Sequence, residues 1–178
     1  MHITAKVDYA VRTLLEIARA PRVSQAQRAA VPALDATPLA QAGPVVAAAA
    51  VVKADVIATA QRIPPKVLET VLAELRRADL VISRRGPDGG YWLARPAAEI
   101  SIADVIRAIE GPLASVRGER PEDVNYPGAA EPLQRVWIAL RVNIRAVLEN
   151  VSIEDIAQDE LPGFVEALTE DSGAWARR

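Results

Sequence analysis

The run IPPKVLETVLAELRRADLVISRRGPDGGYWLAR, from Ile63 to Arg95, constrains this 178-residue chain more than any other part of it. Pro65 suits the first position of a helix, where a missing N–H costs nothing. Val67, Leu68, Val71, Leu72 and Leu75 then recur at helical spacing and mark a core face, leaving Lys66, Glu69, Thr70, Ala73 and Arg77 outward. Leu80–Ser83 and Tyr91–Ala94 read as two short strands. Between them lies Arg84-Arg85-Gly86-Pro87-Asp88-Gly89-Gly90, a basic hairpin tip with glycines available for positive φ. A helix feeding directly into a short, arginine-tipped hairpin leaves few architectures open.

The flanking segments narrow them further. Residues 3–19 carry Val7, Ala10, Val11, Leu14, Leu15 and Ala18 at three- and four-residue spacing, with Thr4 as N-cap and Pro21 as terminator. Residues 53–62 predict a short helix with Val56, Ile57 and Ala60 inward, ended by Ile63-Pro64-Pro65. Ser101-Ile102-Ala103-Asp104 has the form of a capping box, opening a helix that runs to Glu110 and stops at Gly111-Pro112. A loop follows. A long helix is expected from Glu131 to Asn150, with Leu133, Val136, Trp137, Leu140, Ile144, Val147 and Leu148 along one face. Ser152-Ile153-Glu154-Asp155 repeats the capping pattern for a short last helix, and the tail after Gly163 is expected to fray. Residues 21–50 differ in kind: Ala/Pro-rich, sparsely charged, broken by Pro21, Pro32, Pro38 and Pro44, they read as a long loop decorating the fold.

The expected fold class is therefore mainly α: a winged helix-turn-helix with a small two-stranded wing and a long C-terminal helix, to which the resemblance described below gives the role of dimerisation helix. Residues 1–100 form the winged unit, 101–160 the linker helix and the long helix, and 161–178 a tail. Its physical match is duplex DNA. An α-helix fits the major groove with its first residues at base edges, and arginines on a hairpin suit the narrow, strongly negative minor groove. Backbone N–H groups at helix starts and glycine turns suit phosphates.

Composition sets limits on alternatives. The chain has no cysteine and one histidine, which removes disulfides, thiolate chemistry and most nucleophile–base pairs. There is no phosphate loop and no metal-binding helix pair, so an enzyme is not expected. The most apolar stretch, Val45–Val52, is too short to span a bilayer, and without an Arg/Lys-led apolar segment at the start no signal peptide is expected; a cytoplasmic protein without membrane contact is expected. Net charge is −2, but it is unevenly placed. Residues 1–95 hold 13 Lys/Arg against 8 Asp/Glu, and residues 96–178 hold 8 against 15. A second reading follows from that asymmetry: a winged helix serving as a protein-interaction module whose acidic half binds a partner.

Four segments resemble the Rrf2 (Rrf-two) family of winged helix-turn-helix regulators, the group that includes IscR and NsrR: ITAKVDYAVRTLLEIA, IPPKVLETVLAELRRADLV, SRRGPDGGYWLARPAAEISIADVIRAIEGPL, and the long helix ending in LENVSIEDI. The insertion at 21–50 is a departure. The resemblance implies a homodimer joined through the long helices, a repressor at an imperfect palindrome, and contacts to double-stranded DNA. Lys66, Glu69 and Thr70 would face the major groove. Arg85, with Arg84 beside it, would enter the minor groove. Thr4 and Lys6 would meet phosphates, and Pro65 at the helix start with Gly89 and Gly90 in the wing complete the expected DNA-binding set. For each of these, an ordinary solvated surface is the alternative. Many relatives hold an iron–sulfur cluster on three cysteines before the long helix, where this chain has Arg117-Gly118-Glu119-Arg120-Pro121-Glu122-Asp123-Val124-Asn125-Tyr126. Without thiolates no such cluster forms, so neither cofactor nor metal is expected and the input is cluster-independent. His2 and Asp8, near positions where some relatives supply other ligands, read as surface groups. An effector, small molecule or protein, is left open. Trp137 reads as dimer core or, alternatively, as the wall of a ligand pocket with Tyr126 and the first helix; Trp92 reads as packing under the wing.

Overall fold

The computed structural model describes residues 2–20 and 51–176. The loop expected at 21–50 lies outside the described residues.

Helix α1 (Ala5–Arg19) starts where Thr4 Oγ1 accepts the Val7 N–H at 3.3 Å. Its inner face is Val7, Ala10, Leu14 and Ile17. The buried Thr13 is polar but bonded, its hydroxyl donating to the Tyr9 carbonyl at 2.7 Å. Helix α2 (Ala54–Gln61) buries only Ile57. It ends on Arg62 in the left-handed region, φ 52°, and Ile63 N–H bonds back to the Ala58 carbonyl at 3.0 Å. Val56, expected inside, is 49% exposed: eight residues give this helix a narrow contact stripe, and Ile57 fills it.

Helix α3 (Pro65–Arg77) buries Leu68, Val71, Leu72 and Leu75. Each contributes on the order of 1.5–3 kcal/mol by leaving water. The helix ends with Asp79 at φ 54° and Leu80 N–H reaching the Leu75 carbonyl at 2.9 Å, the geometry of a Schellman stop. That position favours glycine. Asp79→Gly is expected to stabilise the fold by about 0.5–1 kcal/mol, read as a higher urea midpoint at unchanged slope.

Strands β1 (Val81–Arg84) and β2 (Gly90–Leu93) pair antiparallel, Val81 opposite Leu93 and Arg84 opposite Gly90. Val52 adds a bridge to β2 through paired bonds with Tyr91 at 2.9 and 2.8 Å. Helix α4 (Ile102–Glu110) opens with the expected capping box, Ser101 Oγ accepting from Asp104 N and Asp104 Oδ2 from Ser101 N, both at 3.1 Å. Helix α5 (Leu133–Leu148) is the long one, and helix α6 (Ile153–Gln158) opens with a second capping box. Ile102 N–H bonds to the Val151 carbonyl at 2.9 Å and Ile153 N–H to the Ile100 carbonyl at 2.8 Å, stitching the starts of α4 and α6 together.

One core gathers α1, α2, α3, the wing, α4 and α6: Leu14, Ile57, Leu72, Val81, Val105 and Ile153 belong to it. Helix α5 stands apart, with none of its 16 residues buried. The tail departs from expectation. Gly163–Glu170 forms helix α7, started by Pro162, and Trp175 Nε1 donates to the Thr169 carbonyl at 2.6 Å just beyond it. Phe164, Val165 and Leu168 have helical spacing too short to register as a pattern in the sequence. Among the described residues no helix is long and apolar enough to cross a membrane.

Candidate nucleic-acid interface

Burying Leu68, Val71, Leu72 and Leu75 on one side of α3 fixes what the other side presents. Lys66, Glu69 and Thr70 are exposed on its first two turns. The Thr70 hydroxyl donates to the Lys66 carbonyl at 3.1 Å, which sets its rotamer. Pro64 and Pro65 carry no N–H, and Val67 N–H is taken by the Pro64 carbonyl at 3.0 Å. Pro65 therefore acts by fixing the backbone, and a phosphate at this helix start would meet the Lys66 side rather than a row of amides.

The wing exposes Arg84 and Arg85. Arg84 Nη2 donates to the Asp88 carbonyl across the tip at 2.9 Å, which stiffens the turn and leaves Arg85 as the outward cation. Gly89 and Gly90 are buried, and each has a backbone reason to be glycine. A Cβ on Gly89 would lie 2.3 Å from the Arg84 carbonyl oxygen, and one on Gly90 would lie 2.5 Å from the Val52 carbonyl oxygen. Gly90 lets the wing close onto the Val52 bridge. Gly90→Ala is expected to cost about 1–3 kcal/mol, seen as a lowered thermal midpoint, because backbone must move to admit the methyl.

Two contacts tie α3 to its neighbours. Lys6 Nζ meets Glu74 Oε1 at 2.6 Å, joining α1 to α3. Arg76 Nη1 reaches Ser83 Oγ at 3.3 Å, joining α3 to the wing. Lys6 keeps further N–H donors for a phosphate, but its ammonium is already held. Thr4 likewise uses its oxygen as an α1 cap and retains an O–H to donate. Sequence reasoning missed Glu74 and Gln61 as positioning groups. Gln61 Oε1 accepts from Arg12 Nε at 3.2 Å and its Nε2 donates to Glu16 at 2.8 Å, pinning the end of α2 to α1. The signal was faint: polar residues on half-exposed faces, spaced 45 or more positions apart. Trp92 is 6% exposed, so its ring packs inside rather than stacking on a base.

On α5, Val136 is 54% and Leu140 47% exposed, while Leu133, Trp137, Ile144, Val147 and Leu148 are half-buried. Trp137 Nε1 donates to the Tyr126 hydroxyl at 3.1 Å, and Arg117 sits over the Tyr126 ring at 5.7 Å from its centroid. The loop before α5 is held by its own chain. Gln134 Nε2 donates to the Glu122 and Val124 carbonyls at 3.0 and 2.8 Å, and Arg141 pairs with Glu122.

Comparison with known proteins agrees with this geometry. A family model described as Rrf2, iron-dependent transcriptional regulator, matches residues 45–159. The chain is 42% identical over 171 residues to Rv1287 of Mycobacterium tuberculosis, an HTH-type transcriptional regulator by name, covering 96% of this chain and 90% of that one. The structure of CymR (YrzC), the global cysteine regulator of Bacillus subtilis, superposes with a TM-score of 0.62 at 26% identity, covering 89% of this chain and 98% of CymR. T. potens IscR shares the fold, with a TM-score of 0.58 at 24% identity over 89% of this chain and 88% of that one.

The iron in the family's description does not fit the donors here. The chain has no cysteine, and among the described residues no three His, Asp or Glu side chains converge. Asp8 is paired with Arg12 at 3.1 Å. Thiolate-held iron–sulfur chemistry has no ligands in this sequence. With its fold, its wing and its relatives in agreement, the chain belongs to the Rrf2 family of winged-helix, DNA-binding transcription regulators.

Proposed function

We propose that the protein is a homodimeric repressor that binds a pseudo-palindromic promoter site. The observation that carries this reading is the pairing of an exposed α3 start with a stiff, arginine-tipped wing, in a chain whose long helix leaves Val136 and Leu140 exposed on its apolar stripe. Lys66 donates to guanine, Glu69 accepts from a cytosine amine, and Thr70 makes a less selective contact. Arg85, supported by Arg84, enters the minor groove. Thr4, Lys6, Pro65, Gly89 and Gly90 set the approach of the backbone. The winged unit occupies residues 1–100, and residues 101–160 carry the dimer helix. The stripe from Leu133 to Leu148 packs against its symmetry mate, giving two wings one helical turn of DNA apart. The repressor role is what the family resemblance implies, and the input is independent of a cluster.

Selection of bound duplexes from a random pool by the purified chain tests this. The expected product is an inverted repeat whose half-sites sit about 10 bp, or a multiple of it, apart. Enrichment of a single asymmetric half-site would overturn the dimeric mode. No enrichment at all would overturn sequence-specific binding.

A further inference from the structure

An open cleft of about 410 Å³ lies between the end of α4, the following loop and α5. Four arginines reach it from three places: Arg107 on α4, Arg120 in the loop, and Arg141 and Arg145 on α5. Residues 96–178 hold 15 acidic groups and only 8 basic ones, yet half of those basic groups converge here. Chance scatter across an acidic half does not collect its cations in one concavity.

The carboxylates nearby do not balance them. Glu122 serves Arg141 and, loosely at 3.9 Å, Arg120. Glu149 serves Arg107 and, at 3.0 Å, Arg145. Asp104 lies 3.7 Å from Arg107 but is already bound to Arg95 and to the Ser101 amide. Two carboxylates shared among four guanidiniums leave a surplus of positive charge and many N–H donors unfilled, since each guanidinium offers five. Arg141 Nε is one such donor, buried and without a partner among the described residues. Glu122 is held below the usual carboxylate range by a bond to its own backbone and then by Arg141, and Glu149 by bonds from Arg145 and then Arg107. Both stay ionised, so the surplus is what remains after they are counted.

Leu113 and Ala114 give the cleft an apolar wall. Its size suits a small molecule. We infer that this cleft binds a small organic anion with two acidic groups, gripped in the bidentate manner guanidiniums use for carboxylate and phosphate. An occupant would bridge α4, the loop and α5, and so bear on the proposed dimer helix. A dicarboxylate and a phosphate monoester share this chemistry, and the test separates them.

The full chain, without DNA, is titrated calorimetrically at low ionic strength with succinate, glycerol 3-phosphate and acetate. One of the two dianions is expected to bind one per chain with a Kd below about 1 mM, and acetate at least tenfold more weakly. Arg120→Gln with Arg145→Gln is expected to weaken that binding at least tenfold, and Arg77→Gln, on the exposed side of α3, to leave it unchanged. Should the double variant fail to fold, Ala114→Glu is expected to bring the same loss by placing a carboxylate in the cleft. Absence of saturable binding of either dianion, equal binding of acetate, or equal binding by the cleft variants would overturn the inference. Because no DNA is present, failure here leaves the DNA-binding reading standing, and failure of that reading leaves this one standing.

Discussion

Replacing Lys66 and Arg85 together by alanine is expected to weaken operator binding by at least about 100-fold at physiological ionic strength. Each side chain removes a charged donor from a different groove, and one good base contact is worth about 1–3 kcal/mol. The two sites lie on separate elements, so their losses should add. The slope of log affinity against log salt should also fall by about 2, one for each cation withdrawn from the DNA. Fluorescence anisotropy across a salt series reads both numbers. Stability should move by no more than about 0.5 kcal/mol, because both side chains are exposed. Unchanged affinity and slope in a folded double variant would remove the proposed docking mode.

The second large effect concerns the dimer. Val136→Glu with Leu140→Glu places two charges on the exposed stripe of α5. Sedimentation is expected to show a single 19.1 kDa chain in place of two. Operator affinity should fall by about 10²–10⁴, the gain that linking two half-site contacts supplies. The separated subunit should stay folded, since neither residue enters the core gathered around Leu14, Leu72 and Ile153, and should lose only the stability that association lends. A double variant that sediments as wild type would place the interface elsewhere.

Much of this fold was legible in the sequence, because its elements announce themselves locally. Thr4, Ser101 and Ser152 act as caps where their spacing says they should. The hairpin followed from glycines flanking a basic tip, although each strand sits one residue from its expected place. The periodicity of α3 sorted its buried face from its exposed one, and with it Lys66, Glu69 and Thr70.

What escaped reading depends on long-range contact. The α1 face was read from apolar residues alone, so buried Thr13 was passed over; its bond to the Tyr9 carbonyl makes it a core residue in effect. The Val52 bridge to Tyr91 explains Gly90, yet nothing near Val52 in the sequence marks it as a strand partner. Lys6 reads as a free phosphate contact until Glu74, 68 positions away, is seen to hold it. Helix α7 carries too few apolar residues for a period to show. The arginine cleft was invisible for a related reason. Arg107, Arg120, Arg141 and Arg145 look like scattered surface charges until the chain folds them around one space. The net acidity of residues 96–178 described that half correctly and hid a basic concavity within it.

In the proposed docking mode α3 and the wing, and not the acidic half, touch DNA. Hydrogen exchange of the full chain with and without the selected duplex tests it most directly. Slowed exchange is expected at residues 65–71 and 84–90 on DNA binding. Protection confined to residues 96–178, with those two segments exchanging as they do in free protein, would contradict it.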